Sequence, residues 1–230
     1  MVKKYHINIM HIYKIYKMYK PHILILLLFI FILCLSYKEG LYDTNPDQFI
    51  KPTIYPNFIT NDEVNYILSE ANDYHNSIVI GNTIDETIRK SETCWLSKTD
   101  PHIEKIIKSV CDITNQPLDR AEDLQVVKYK PNGFYKEHHD SCCEETDHCI
   151  EFNKMGNRVV TMVIYLTDGF EGGSTYFPNL KKEYKPEKGG GLLFYPMNKK
   201  GDKCHENSLH GGKPVISGEK IICNVWIRDK

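Results

Sequence analysis

The chain has 230 residues, room for one domain of ordinary size plus an appendage. At 41% hydrophobic and 26% charged it is globular in composition, not disordered. Its 29 basic and 30 acidic residues leave a net charge of -1, which offers no electrostatic footing for nucleic acid.

That balance hides an uneven start. Residues 1–22 carry Lys3, Lys4, Lys14, Lys17 and Lys20 and no acidic side chain. From Ile23 to Leu35 no side chain is polar beyond Cys34. A basic flank before an apolar run marks a signal peptide or a signal anchor. The run is short against the roughly 20 residues of a spanning helix, but Tyr16, Met18, Tyr19 and Tyr37 extend it into the interfacial zones. We read residues 23–37 as an anchor, with 1–22 cytoplasmic and the rest lumenal. Cleavage near Cys34-Leu35-Ser36 is the alternative and gives a secreted protein. Seven cysteines follow the run, an odd number, so at least one stays out of any intrachain pairing. Cys142, Cys143, His148 and Cys149 invite either a disulfide-closed loop or a zinc site of non-standard spacing.

Residues 38–51 are polar, with Gly40, Asn45 and Pro46, and read as a linker to a domain over 52–230. Thr60-Asn61-Asp62-Glu63 fits a capping box, followed at helical spacing by Val64, Ile67, Leu68 and Ala71. Asp100-Pro101 starts a second helix with Ile103, Ile106, Ile107, Val110 and Ile113 on one face. From Leu124 the pattern changes to strands: Leu124–Tyr129, Val159–Leu166, Ser174–Phe177, Leu192–Tyr195 and Ile221–Ile227, punctuated by Gly and Pro. Helices first and short strands after predict an α+β domain with a jelly-roll core.

His138-His139-Asp140 is the first cluster able to do chemistry. On a strand, His138 and Asp140 share a face while His139 points the other way. With His210 as third ligand, two imidazoles and a carboxylate form the facial triad of non-haem iron(II) oxygenases; a two-His, one-acid zinc site is the rival. Lys220 falls on the next strand. A lysine buried there needs an anion, and the far carboxylate of 2-oxoglutarate supplies one.

The stretch Tyr129-Lys130-Pro131-Asn132-Gly133-Phe134-Tyr135-Lys136-Glu137-His138-His139-Asp140 resembles the Y-x-x-x-G-x-Y-x-x-H-x-D signature of the collagen-type prolyl 4-hydroxylase family. The resemblance continues through Arg158-Val159-Val160-Thr161, Tyr165-Leu166-Thr167-Asp168, Glu171-Gly172-Gly173-Ser174-Thr175, Phe177-Pro178 and Leu209 to Trp226. It implies the double-stranded β-helix form of the jelly roll, with His138, Asp140 and His210 on iron(II). It further implies Lys220 on 2-oxoglutarate with the hydroxyls of Tyr129 and Thr175, and Tyr135, Arg158 and Trp226 along the peptide groove. Dioxygen and L-ascorbate come with that chemistry, a proline-rich or collagen-like peptide is the implied substrate, and the endoplasmic reticulum the implied compartment. Peptidyl lysine hydroxylation, or a non-catalytic module for proline-rich chains, are the alternatives; lysyl hydroxylases tend to carry arginine where Lys220 stands. Two departures stand out: a cysteine that family members often carry near Lys213 is absent, and the acidic, cysteine-rich segment from Ser141 to Asn157 is peculiar to this chain.

Overall fold

The computed structural model describes residues 49–79, 83–142, 149 and 154–230. The anchor reading of residues 23–37 falls outside them. No helix among the described residues is long and apolar enough to cross a membrane.

Two helices come early. Helix α1 (Asn61–Glu70) opens on the capping box read from the sequence. Thr60 Oγ1 accepts from the Glu63 amide at 3.2 Å, and the Glu63 carboxylate accepts from the Thr60 amide at 2.8 Å. Helix α2 (Pro101–Thr114) is capped by Asp100, whose Oδ1 accepts from the amides of His102 and Ile103 at 2.9 and 3.1 Å. It ends at Asn115 in the left-handed region, φ 52°. Ile103, Ile106, Ile107 and Val110 are buried, but Ile113 is 43% exposed, contrary to the one-face reading. At 100° per residue Ile113 lies toward the edge of that stripe, and Cys111 is buried in its place.

Among the described residues, fourteen strands follow the pattern of a jelly roll. A seven-stranded antiparallel sheet runs in the order β1 (Thr53–Tyr55), β11 (Gly191–Phe194), β7 (Arg158–Tyr165), β14 (Lys220–Arg228), β5 (Leu124–Tyr129), β4 (Glu92–Leu96), β2 (His75–Asn76). A five-stranded sheet runs β10 (Lys182–Tyr184), β9 (Thr175–Phe177), β12 (His210–Gly212), β6 (Phe134–His138), β3 (Arg89–Lys90). A small pair, β13 (Val215–Gly218) with β8 (Phe170–Gly172), completes the set. The stretch from Pro46 to Lys230 forms one unit.

Strand alternation creates two cores. One face of the large sheet presents Val126, Val160, Met162, Ile164, Cys223, Val225 and Ile227 to the helix residues Val64, Ile67, Ile103, Ile107 and Val110. The other face sends Val127, Tyr129, Val163, Tyr165 and Ile222 into a second cluster with Phe170, Phe177, Leu192, Phe194 and Val215. On β14 the even-numbered residues Lys220, Ile222, Asn224, Trp226 and Arg228 therefore share the face opposite the helices. Every candidate site residue sits on or beside that face.

Removing the Thr60 hydroxyl tests the local logic of α1. Thr60→Ala is expected to lower stability by about 0.5–2 kcal/mol in urea denaturation, with an unchanged m value.

Candidate metal centre

β6 and β12 are neighbours in the five-stranded sheet, and their register sets His138 directly opposite His210. Gly211 lets the strands meet this closely, since a Cβ there would lie 2.8 Å from the Tyr135 carbonyl oxygen. Asp140 follows two residues beyond His138 and is buried. Its Oδ1 is 3.6 Å from His138 Nε2 and its Oδ2 is 3.8 Å from His210 Nε2. One donor atom from each of the three residues falls within a 4.8 Å cluster. His139 points away from it, its Nδ1 3.2 Å from Ser208 Oγ.

The protonation states suit a cation. His138 Nδ1 lies 2.8 Å from the Lys136 carbonyl, and His210 Nδ1 lies 3.0 Å from the Ser208 carbonyl. A carbonyl only accepts, so Nδ1 carries a proton in both rings, and in a neutral ring Nε2 is then the atom left to bind a metal. His210 sits against Phe177 and Phe194, and burial lowers its pKa to about 4, leaving it neutral at ordinary pH. Burial opposes ionisation of Asp140, but the neighbouring imidazoles and Arg158 outweigh it and hold the carboxyl well below the usual range. Two imidazoles and one carboxylate, with nothing softer beside them among the described residues, are a donor set suited to a first-row divalent ion such as iron(II).

The carboxylate is held from the large sheet. Thr161 Oγ1 donates to Asp140 Oδ2 at 2.7 Å and Trp226 Nε1 to the same oxygen at 3.1 Å. Thr161 and Trp226 are cross-strand partners on β7 and β14, so strand register places both donors together. Trp226 therefore touches the centre itself. The Arg158 guanidinium carbon lies 3.5 Å from the Trp226 ring centroid, and its Nε and NH2 donate to the two Glu122 oxygens at 2.6 and 2.8 Å. Tyr135 stacks on His138 with ring centroids 3.7 Å apart, while Arg89 covers it at 4.6 Å.

Lys220 pairs across the strands with Tyr129. It is 2% exposed and makes no ion pair among the described residues. Its Nζ lies 5.1 Å from the ring centroids of both Tyr129 and Tyr165. Burial, helped by the charge of Lys185, lowers its pKa to about 7. Thr175 is buried and shares a 2.8 Å hydrogen bond with the Tyr165 hydroxyl. Gly173, at φ +63°, leaves space for the lysine stem: a Cβ there would meet Lys220 Cδ at 3.1 Å. A desolvated ammonium between two tyrosine rings fits an incoming carboxylate.

His138, Asp140 and His210 thus come together as read from the sequence, with Trp226 on Asp140, Tyr135 on His138 and Tyr129 beside Lys220, whereas Arg158 meets Trp226 and Thr175 meets Tyr165. Thr161, Tyr165, Glu122 and Arg89 were not given roles. Thr161 and Tyr165 were within reach, because alternation along β7 places them on the site face once that face is known. Glu122 and Arg89 come from a loop and a two-residue strand with no periodic signal. The zinc reading fails at Cys142 and Cys149, whose sulfurs are bonded to each other. Cys94, Cys111 and Cys223 are free and buried.

Three comparisons place this geometry among known proteins. The family model described as the 2OG-Fe(II) oxygenase superfamily matches residues 124–228. A protein of Acanthamoeba polyphaga mimivirus, provisionally named a prolyl 4-hydroxylase, is 44% identical over 191 residues, covering 82% of this chain and 78% of that one. Prolyl 4-hydroxylase 1 of Arabidopsis thaliana is 34% identical over 166 residues, covering 65% of this chain and 57% of its own length. The crystal structure of a viral collagen prolyl hydroxylase from Paramecium Bursaria Chlorella virus-1, in its 2OG complex, superposes with a TM-score of 0.60 at 31% identity, covering 77% of this chain and 94% of that one.

A divalent ion is expected to stabilise the fold. Chelator-stripped protein titrated with manganese(II) should gain about 2.7 kcal/mol at a hundredfold excess over Kd, read as a rise in melting temperature. Asp140→Ala should lose that rise.

Proposed function

The chain belongs to the 2OG-Fe(II) oxygenase superfamily, among the prolyl 4-hydroxylases, and on that premise we propose that His138, Asp140 and His210 hold iron(II) for the hydroxylation of peptidyl proline. The observation that carries the reading is the cluster of two imidazoles and an ionised carboxylate beside a buried lysine that makes no ion pair among the described residues. When bound, iron(II) and 2-oxoglutarate supply the oxidising chemistry, in which dioxygen and the keto acid give succinate, carbon dioxide and one oxygen atom for the prolyl ring.

The chain's own residues do the rest. His138 and His210 keep their Nδ1 protons on backbone carbonyls, so both rings present Nε2 without a tautomer change. Thr161 and Trp226 occupy one oxygen of Asp140 and fix the plane of the carboxylate. Lys220 holds the far carboxylate of 2-oxoglutarate, with the hydroxyls of Tyr129 and Thr175 beside it. The apolar side chains of Tyr165, Phe170 and Ile222 keep water from that charge pair. Tyr135, Arg158 and Trp226 border the entrance and receive the peptide; their aromatic surfaces suit an extended, proline-rich chain.

Residues 23–37 we read as a signal anchor that places this domain in the lumen of the endoplasmic reticulum. The seven cysteines after the apolar run and the Cys142–Cys149 disulfide support an oxidising compartment. Membrane-pellet retention of the full chain after alkaline carbonate, with release on deletion of 1–37, is the expected result.

The decisive assay supplies iron(II), 2-oxoglutarate, ascorbate and proline-rich peptides to the purified protein. A gain of one oxygen on proline with matching succinate release is expected; peptide binding without either would leave only a binding module. His138→Ala is expected to abolish succinate formation with the fold intact by circular dichroism. Lys220→Ala should raise the KM for 2-oxoglutarate on the order of a hundredfold, because it removes one half of a buried ion pair.

The pH dependence has a definite sign. Lys220 binds a carboxylate only when protonated, and burial has brought its pKa down to about 7. Co-substrate binding is therefore strongest below that pH, takes up a proton, and weakens as pH rises through it. The KM for 2-oxoglutarate should climb above pH 7 in the wild type, and stay flat there in Lys220→Arg.

A further inference from the structure

We propose that Glu122 is a positioning residue for the metal centre, acting through Arg158 and Trp226 on the carboxylate of Asp140. The inference rests on His138, Asp140 and His210 as the metal ligands, and adds a residue outside the triad that sets their affinity.

The orientation of Asp140 depends on the two donors to its Oδ2. The Thr161 hydroxyl, at 2.7 Å, rotates to find its acceptor. The Trp226 N–H, at 3.1 Å, is fixed in the ring plane, so its aim depends on how the ring is held. The second side-chain torsion of tryptophan has broad minima, and burial alone does not select one plane. The Arg158 guanidinium at 3.5 Å from the ring centroid supplies a flat clamp.

A guanidinium clamps flat only if its own plane is fixed. Glu122 fixes it with a two-pronged contact, 2.6 Å to Nε and 2.8 Å to NH2. Arg228 NH2 grips Glu122 Oε1 from another side at 2.9 Å. Side-chain exposures of 16% for Glu122, 16% for Arg158 and 10% for Arg228 leave water little room to compete. This distinguishes the clasp from an exposed ion pair, which is usually worth little. The main chain adds an independent tie: the Glu122 amide donates to the Trp226 carbonyl at 3.0 Å, and Ala121 bridges Ile227. Glu122 thus registers both the backbone of Trp226 and the plane of its ring. From Glu122 to Asp140 the contacts are continuous.

The test is a double-mutant cycle on metal affinity, measured with manganese(II) and no peptide. Trp226→Phe keeps a ring under Arg158 but loses the N–H, and Glu122→Gln keeps the shape but loses the charge of the clasp. Each is expected to weaken binding about tenfold, within the usual effect of outer-shell partners. In the Trp226→Phe background, Glu122→Gln should add less than about twofold, because its route to Asp140 is already cut. Wild-type affinity in Glu122→Gln, or two effects that simply multiply, would overturn the inference. Should Glu122→Gln fail to fold, Arg158→Lys, which cannot form the fork, must show the same non-additivity. Asp140→Ala separates the premise from the inference: undiminished metal binding there sinks the ligand assignment itself, whereas its loss beside an unaffected Glu122→Gln sinks only the role of Glu122.

Discussion

β14 carries two incompatible demands in alternate residues, and the site depends on that alternation. Its odd positions, Cys223, Val225 and Ile227, fill the core beneath the helices. Its even positions place Lys220, Trp226 and Arg228 on the opposite face. A slip of one residue would bury the charges among α1 and α2 and turn the apolar set toward the cavity. Register is therefore fixed by the packing of the larger core, remote from the metal. β7 follows the same rule, which is why Thr161 arrives opposite Trp226 with both donors aimed at one carboxylate oxygen.

The two buried charges at the centre are treated differently. Asp140 accepts hydrogen bonds from Thr161 and Trp226 on one oxygen, so its negative charge is partly satisfied before a cation comes near. Lys220 has aromatic rings and hydroxyls but no carboxylate among the described residues. The first arrangement holds ligands ready for a metal; the second leaves a demand for an anion. The β6–β12 register aligns His138 with His210, and β7 and β14 supply the donors to Asp140, so both sheets contribute to one centre.

Much of this was legible from the sequence because it depends on local periodicity. The capping box at Thr60, the proline-led helix at Pro101, and the strands at Leu124, Val159 and Ile221 all follow from apolar spacing and turn residues. His138 and Asp140 share a face by strand alternation, and the resemblance of the Tyr129–Asp140 stretch to a known signature gave the third ligand its context. Ile113 was misplaced because a helical stripe drifts at its last turn. Glu122 was invisible for another reason: it lies in an irregular connection, and its importance comes from contacts with Arg158 and Arg228, far along the chain. Long-range pairing of charges leaves no periodic trace. The segment after Asp140 could be read only as a choice between thiols on zinc and a closed ring, a matter of sulfur proximity that spacing does not decide.

An ammonium group enclosed with no carboxylate beside it among the described residues makes the folded state less favourable than its packing alone would allow, and on the proposed role of Lys220 a bound keto acid would relieve that penalty. A small molecule that binds the folded chain and not the unfolded one shifts the folding equilibrium in proportion to its supply. On the proposed role of Lys220, the stability of this domain would rise with the supply of keto acid. With more keto acid the domain would then resist opening and proteolysis, and with less it would open more often.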